Sequence, residues 1–171
     1  MNPCYKWTDS PIGRLLVVAD DGGLRELAFA AGRTPPVVDA SWTCGGAPLH
    51  EPVRQLQAFF AGELRDFELP LNPQGTEFQQ RVWKALRDIP YGETISYGEL
   101  ARRLGNPAAS RAVGLANGSN PIAIIIPCHR VIGSNGKLTG YGGGLENKRW
   151  LLDFERSQLF GQHSVYELNG H

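Results

Sequence analysis

The sequence has little cysteine and no long apolar run. Three cysteines, Cys4, Cys44 and Cys128, are scattered over 171 residues, which excludes a disulfide framework, and no CxxC pair indicates zinc or redox chemistry. The longest strongly apolar run covers residues 122–126, far below the roughly 20 residues that cross a bilayer, and the N-terminus has no signal-peptide core. We therefore expect a cytoplasmic protein that binds neither a membrane nor a metal.

The chain also lacks net charge, because 17 basic residues balance 17 acidic ones. The charges are unevenly placed, however, with a net −4 over residues 1–101, +6 over 102–150 and −2 over 151–171. The hydrophobic content of 42% and the charged content of 20% are those of a globular protein. A basic middle inside a neutral chain is a first indication of a nucleic-acid partner.

The N-terminal part predicts a small α/β domain. Two apolar segments, 15–19 and 24–29, flank an Asp-Asp-Gly-Gly turn and predict a β-hairpin. Apolar residues at helical spacing between residues 53 and 60 predict a helix that ends before Gly62. Residues 69–75 hold two prolines and a glycine, which cannot continue a helix or a central strand. The boundary placed there predicts an α/β scaffold domain over 1–72 and a second domain over 73–171.

The second domain is predicted to be mostly helical, with a helix-turn-helix over about 96–118. One helix starts near Thr76 and ends before Pro90. Ser96 and Glu99 have the spacing of a capping box for a short helix ending at Gly105. The next helix starts at residues 106–107, ends at residues 117–118 and is rich in small side chains such as those of Ala109 and Ser110. Those side chains suit either a nucleic-acid groove or tight internal packing.

Residues 127–133 combine a cysteine with basic neighbours. His129 and Arg130 follow Cys128 directly, and such neighbours lower a thiol pKa and favour the nucleophilic thiolate. The alternative is an inert cysteine at the end of a core strand. Successive side chains of an extended chain point to opposite faces, so direct contact of Cys128 with His129 requires a backbone bend after Pro127, or else a bridging water.

Two glycine-rich loops and a helix follow. The loops, residues 133–136 and 140–144, match no phosphate-binding pattern and are more typical of a flat pocket wall beside Tyr141. Residues 145–154 predict a helix with Trp150, Leu151 and Phe154 turned inward, and the pattern alone makes Glu155 a solvated charge near its end.

Residues 76–155 resemble the O6-alkylguanine-DNA alkyltransferases. The resemblance is carried by the run IPCHRVIG, by the preceding SYGEL, GNP, SRAVG and NGSNP segments, and by the following GKLTGYGGGLENKRWLL. It implies a protein without a cofactor that moves the alkyl group of O6-alkylguanine in double-stranded DNA permanently onto its own cysteine, here Cys128. It also allows a lesser activity on O4-alkylthymine, and it implies a monomer that can contact other copies when several load on DNA.

The resemblance also implies roles for individual residues. His129 would act as base through a water, Glu155 would orient His129, Tyr97 would donate a proton toward guanine, and Asn120 would shape the turn beside the cysteine. The implied substrate-binding residues are Val131, Tyr141, Gly142 and Gly143. The implied DNA-binding residues of a minor-groove helix are Ala109, Ser110, Arg111 and Asn117, with Arg111 replacing the extruded nucleotide.

Two other functions compete with this interpretation. A non-catalytic reader of alkylated DNA resembles the family but lacks the acceptor cysteine, whereas Cys128 is present. A cysteine hydrolase would use Cys128 and His129 to cleave an ester or amide and would turn over repeatedly. For the N-terminal domain, a scaffold is favoured over a second active site.

Overall fold

The computed structural model describes residues 2–160 and 167–168. The chain divides into two compact units, residues 1–74 and residues 75–171. The last stretches of the predicted second domain, 161–166 and 169–171, lie outside the described residues. The predicted mixed α/β class is confirmed, with a sheet in the first unit and most helices in the second. Within the described part of the chain, no helix is both long and apolar enough to cross a membrane.

The first unit is a four-stranded sheet followed by one helix. Its strands are β1 (Cys4–Thr8), β2 (Leu15–Asp20), β3 (Gly23–Phe29) and β4 (Thr43–Cys44), and its helix is α1 (His50–Phe60). The strand order is β3-β2-β1-β4, antiparallel except for the parallel β1–β4 pair. The predicted hairpin and the predicted helix are both present, whereas β1 and β4 were not predicted.

The core of this unit comes from β2 and one face of α1. Strand β2 is buried along nearly its whole length, and Val53, Leu56 and Phe59 are the buried apolar residues that recur at helical spacing on α1. Gly23 begins β3 with φ 132°, and a Cβ there would lie 2.4 Å from the Pro70 carbonyl oxygen. Only glycine fits this position, so the close approach of residues 70–72 to β3 depends on it.

The described part of the second unit holds four α-helices and four short strands. They are α2 (Glu77–Leu86), β5 (Ile95–Ser96), α3 (Tyr97–Arg103), α4 (Ser110–Gly118), β6 (Val131–Ile132), β7 (Lys137–Leu138), α5 (Leu145–Phe160) and β8 (Glu167–Leu168). Strand β5 pairs with β6 in parallel, and β7 pairs with β8 in parallel. Thr76 caps α2 in a capping box with Gln79.

The predicted helix-turn-helix is present as α3 and α4, with two local differences. The Ser96 hydroxyl accepts from the Glu99 N–H, but the Glu99 carboxylate pairs with Arg102 and Arg103 and leaves the expected capping box half formed. Two nearby guanidinium groups compete better for a carboxylate than one backbone N–H does. The second helix begins with a 3₁₀ turn, Pro107–Ala109, before α4. Trp83 of α2 holds α4 by donating its indole N–H to the Ala116 carbonyl at 2.8 Å.

Residues 122–126 form a buried turn, so the alternative that Cys128 ends a core strand is wrong. The Ile126 N–H donates back to the Ile122 carbonyl at 3.0 Å. Ile124 has φ 71°, a conformation that a β-branched side chain adopts only when its surroundings impose it. A run of five apolar residues indicates burial but not backbone conformation, so it fits a buried strand and a buried turn equally well.

Helix α5 extends to Phe160, and its buried face contains Leu151 as predicted but not the two predicted aromatic residues. Lys148, Leu151, Leu152 and Glu155 face inward, whereas Trp150 and Phe154 are only partly buried and stack on each other with centroids 4.9 Å apart. Glu155 is therefore a buried mid-helix residue rather than a solvated helix end. The prediction followed the aromatic residues, but the inward stripe carries two charged side chains.

Candidate active site

Cys128 opens a short 3₁₀ turn, Cys128–Arg130, in the second unit. The turn supplies a backbone bend after Pro127, one of the two alternatives that the sequence left open. Cys128, His129 and Arg130 are all buried in it, with 6%, 0% and 6% of their surface exposed. All three side chains therefore enter the interior from one turn instead of alternating between two faces.

Asn120 holds the buried turn that precedes the cysteine. Its Oδ1 accepts from the Ile122 N–H at 3.0 Å, and its Nδ2 donates to the Ile126 carbonyl at 2.7 Å. Asn120 also makes a side-chain hydrogen bond with the Cys128 thiol that favours the thiolate. One amide thus fixes both ends of the turn and contacts the sulfur.

The carboxylate of Glu155, on α5, accepts hydrogen bonds from several groups around the cysteine. It accepts from His129 Nε2 at 2.7 Å, from Arg130 Nε and Nη2 at 2.9 and 3.0 Å, and from the Gly92 N–H at 3.0 Å. Arg130 also donates to the Ile89 carbonyl at 2.7 Å. Although burial by itself raises the pKa of Glu155, the neighbouring His129 and Arg130 lower it to about 2. Glu155 is therefore an anion at neutral pH.

His129 is arranged as a neutral base. Burial lowers its pKa, and the Arg130 and Lys148 cations lower it further, whereas Glu155 acts in the opposite direction. Because the Glu155 carboxylate can only accept, Nε2 carries the proton of the neutral ring and Nδ1 carries the lone pair. Nδ1 is buried and has no hydrogen-bond partner among the described residues. Such a nitrogen can accept a proton.

The thiol does not have the lowered pKa that its sequence neighbours suggested. Burial raises the pKa of Cys128, while the Asn120 hydrogen bond and the Lys148 charge lower it to a smaller extent. His129 is neutral and Arg130 is paired with Glu155, so neither supplies the expected positive charge. The resting group is a thiol that needs a base to become a nucleophile.

Lys148 is the functional candidate that the sequence analysis missed. It lies on the inward face of α5, and its Nζ donates to the Thr139 carbonyl at 2.9 Å and lies 6.0 Å from the centre of the Tyr97 ring. Burial lowers its pKa to about 8, and the Cys128 thiolate favours its charged form. The available signal was its position seven residues before Glu155, which places both on one helix face.

Two of the remaining predicted pocket residues, Tyr97 and Tyr141, lie close enough to Cys128 to feel its charge. Tyr97 is the first residue of α3; burial raises its pKa, and its hydroxyl makes a long 3.5 Å contact with the Thr139 hydroxyl. Burial raises the pKa of Tyr141 strongly, with the Cys128 charge adding to the effect. Val131 and Gly143 are buried and Gly142 is exposed. Both tyrosines therefore keep their protons at neutral pH.

Asn117 does not lie where a DNA contact requires it to be. It is on the inner face of α4, only 3% exposed, and its Nδ2 donates to the Cys128 carbonyl at 3.4 Å. The prediction of a DNA-binding Asn117 is therefore corrected, because helical spacing puts it on the same side as the buried Val113. It belongs with the residues around the cysteine.

The outer face of α4 has an unusual composition. Its exposed residues are Arg111, Ala112, Leu115, Gly118 and Ser119, and Leu115 is 70% exposed. Ala109 and Ser110, at the start of the helix, are half-buried. The face thus presents one cation, one large apolar side chain and otherwise small groups, with no acidic side chain.

Comparisons with known proteins match both units. Residues 77–157 match a model described as the DNA binding domain of 6-O-methylguanine DNA methyltransferase, and residues 4–73 match the ribonuclease-like domain of the same enzyme. A methylated-DNA--protein-cysteine methyltransferase of Methanosarcina acetivorans is 56% identical over 153 residues, which is 90% of this chain and 98% of that one.

Solved structures agree. The Mycobacterium tuberculosis O6-methylguanine methyltransferase is 54% identical and matches with a TM-score of 0.84 over 91% of this chain and 94% of that one. The structure of M. tuberculosis OGT in complex with DNA matches over the same shares, at the same identity and with a TM-score of 0.83. Both units match the same enzyme family, and the relatives described here are more than 50% identical to this chain. The chain belongs to the methylated-DNA–protein-cysteine methyltransferases.

Proposed function

We propose that the protein repairs double-stranded DNA by moving the alkyl group from O6 of guanine onto Sγ of Cys128, once per molecule and without a cofactor. The observation that carries the proposal is the buried chain of contacts in which Glu155 orients a neutral His129 beside Cys128. The relatives' names support methyl transfer from DNA to a cysteine. The O6-alkylguanine substrate is supported by the sequence resemblance and by the match to the DNA binding domain of 6-O-methylguanine DNA methyltransferase.

The transfer is a displacement at the alkyl carbon. The Cys128 thiol gives its proton to His129 Nδ1 through a water, and the thiolate attacks the carbon as the bond to O6 breaks. The electron pair of that bond goes to guanine, which leaves as an anion unless it is protonated. The neutral Tyr97 hydroxyl supplies that proton. The resulting thioether has no route back to a thiol, so each molecule reacts once.

The alkylated guanine reaches Cys128 by leaving the base stack of the DNA. The outer face of α4 enters the minor groove, where its small residues allow close approach and Arg111 fills the space that the extruded nucleotide leaves. The carbonyls of Cys128 and Val131 accept from the guanine amine, while Tyr141, Gly142 and Gly143 border the pocket. The absence of acidic side chains from this face favours a polyanionic partner. The protein acts as a monomer, and copies contact each other when several load on one duplex.

Substrate choice is tested by competition. Equal amounts of two duplexes, one with O6-methylguanine and one with O4-methylthymine, compete for a limiting amount of protein, and the repaired bases are counted. We expect O6-methylguanine to be consumed first and O4-methylthymine slowly. Preferential loss of O4-methylthymine would contradict the proposed substrate.

Replacing Lys148 by methionine should slow the reaction of Cys128 at neutral pH. Removal of the buried cation raises the thiol pKa, and one unit of pKa corresponds to about tenfold in thiolate population. The ratio of the wild-type rate to the Lys148→Met rate should fall above pH 8, because Lys148 itself loses its proton at about 8. Single-turnover rates on O6-methylguanine duplex, measured across this pH range, check both points. The control Lys84→Met removes an exposed lysine of α2 and should change neither rate nor profile; an equal loss in both variants would remove Lys148 from the site.

Replacing Arg111 by alanine should separate base extrusion from chemistry. Extrusion costs a few kcal/mol, and Arg111 offsets part of it by filling the stack, so repair of duplex should fall by roughly tenfold to a hundredfold. Free O6-benzylguanine has no stack to leave and should react at the wild-type rate. The control Arg33→Ala removes one exposed cation of the first unit. An equal loss on both substrates, in a variant with unchanged circular dichroism, would contradict the extrusion role.

A further inference from the structure

Two buried side-chain atoms, each on a residue next to Cys128 in space or in sequence, have no hydrogen-bond partner among the described residues. They are Asn117 Oδ1 and His129 Nδ1. Asn117 is 3% exposed and His129 is 0% exposed, so bulk water satisfies neither atom. An unpaired polar atom at this depth costs free energy, so a group that the site receives is expected to satisfy both.

The orientation of the Asn117 amide is fixed by its neighbour. A carbonyl oxygen can only accept, so the Asn117 atom that faces the Cys128 carbonyl at 3.4 Å must be the amide nitrogen. A flipped amide would place two acceptors together. The Oδ1 atom is therefore directed away from that carbonyl, and it remains a free acceptor.

The other free atom is also an acceptor. The Glu155 carboxylate takes the Nε2 proton of His129, so Nδ1 of the neutral ring holds a lone pair. The thiol of Cys128, the residue that both flank, is a donor in its resting form. One water molecule matches this set: its two hydrogens go to the two acceptors, and its oxygen accepts from the S–H group. Three hydrogen bonds are what a buried water typically makes.

We propose that Asn117 is a positioning residue for proton transfer, whose Oδ1 holds, together with His129 Nδ1, the water through which Cys128 loses its proton. The inference rests on the proposed function and adds a residue to it. The S–H proton passes to the water oxygen while the water gives one hydrogen to Nδ1. The second hydrogen stays on the water oxygen throughout and donates a hydrogen bond to Asn117 Oδ1, which keeps the water oriented. The products are a thiolate, an intact water and a protonated His129 that Glu155 stabilises.

Several ionisable groups surround this path. Glu155 and Lys148 face it from α5, Arg130 follows His129 in the same turn, and Tyr97 faces Cys128 from α3. Tyr141 approaches from the loop before α5. Asn117 itself does not titrate, so changing it alters proton transfer without adding a charge.

The test is the pH profile of single-turnover methyl transfer from O6-methylguanine duplex to Asn117→Leu. Leucine has a similar volume but cannot hold the water, so the rate at neutral pH should fall about tenfold and the profile should move to higher pH. At alkaline pH the thiolate forms without the relay, and the rate should recover to the wild-type plateau. Duplex affinity should not change, because Asn117 is not on the outer face of α4.

Two further variants separate this role from simple packing. Asn117→Asp, when its buried carboxyl is protonated, can donate to the Cys128 carbonyl and accept from the water, so it should keep the wild-type rate within about twofold near neutral pH. Gln55→Leu removes another buried amide, one that bonds the backbone of Glu68 in the first unit. It should lower the melting temperature and leave the pH profile unchanged.

The outcomes are distinct. A rate lowered by the same factor at every pH in Asn117→Leu, or no change at all, would overturn the proposal. If Asn117→Leu does not fold, a folded Asn117→Asp that has lost its activity near neutral pH would overturn it as well. A wild-type protein that transfers no methyl group would refute the proposed function instead.

Discussion

Replacing Glu155 by alanine should both destabilise the second unit and stop the reaction at neutral pH. The change removes the acceptor of the buried Gly92 N–H, of His129 Nε2 and of Arg130 Nε and Nη2, while Arg130 keeps its bond to the Ile89 carbonyl. Removing one partner of a buried ion pair costs about 3–5 kcal/mol. Without the carboxylate, His129 also loses its fixed tautomer and the anion that stabilises its protonated form. Urea denaturation and single-turnover transfer measure the two effects.

Glu51 offers a matched control. Arg54 lowers the pKa of Glu51 to about 2 as well, but this pair lies on an exposed face of α1. Glu51→Ala should cost far less stability than Glu155→Ala, since exposed ion pairs contribute little. The pH dependence follows from the lowered pKa of Glu155: its contribution is complete above the ordinary value of 4.5 and is lost as pH falls from there toward about 2. Equal costs for the two alanine variants would contradict the buried network.

Replacing Cys128 by alanine should abolish methyl transfer completely and leave duplex affinity within about twofold. In the proposed function, binding comes from phosphate and groove contacts of the helix-turn-helix, so we expect it not to depend on the thiol. Transfer to O6-methylguanine duplex and a fluorescence anisotropy titration with the same duplex measure the two properties. Losing the thiol also removes one group that favours charge on Lys148.

The other two cysteines are the controls. Cys44 is exposed on β4, and Cys4 is buried on β1, where its thiol faces the Ala19 carbonyl at 3.6 Å. Cys44→Ser and Cys4→Ala should both retain full transfer. Retained repair in Cys128→Ala, or its loss in either control, would refute the assignment of the acceptor.

Local signals predicted most of the first unit and the helix-turn-helix. The Gly-containing hairpin turn, the helix stop at Gly62 and the helix start near Thr76 depend on a few neighbouring residues, and the structure contains all three elements. Strands β1 and β4 were missed because they are short and take their places through pairing with distant strands. Local sequence patterns do not determine which distant segments pair or in which register.

Around the cysteine, the motif located the turn but not its electrostatics. Residue types placed His129 and Arg130 next to Cys128 and suggested a lowered thiol pKa, whereas in the structure both side chains turn to Glu155. The charge that acts on the thiol comes from Lys148, a residue twenty positions away that only the packing of α5 brings near. Asn117 is a second example. A polar residue on a helix is predicted to be exposed, and the sequence did not show that Asn117 lies on the buried face of α4.

The measurement that tests the account most directly is mass spectrometry of the intact protein and its peptides after incubation with excess O6-methylguanine duplex. We predict that every molecule gains one methyl group, that the Cys128 peptide carries it, and that repaired guanines equal protein molecules in number. An unmodified protein with more product than protein would show a turning-over hydrolase, and a methyl group on Cys4 or Cys44 would show another acceptor; either result would contradict the account.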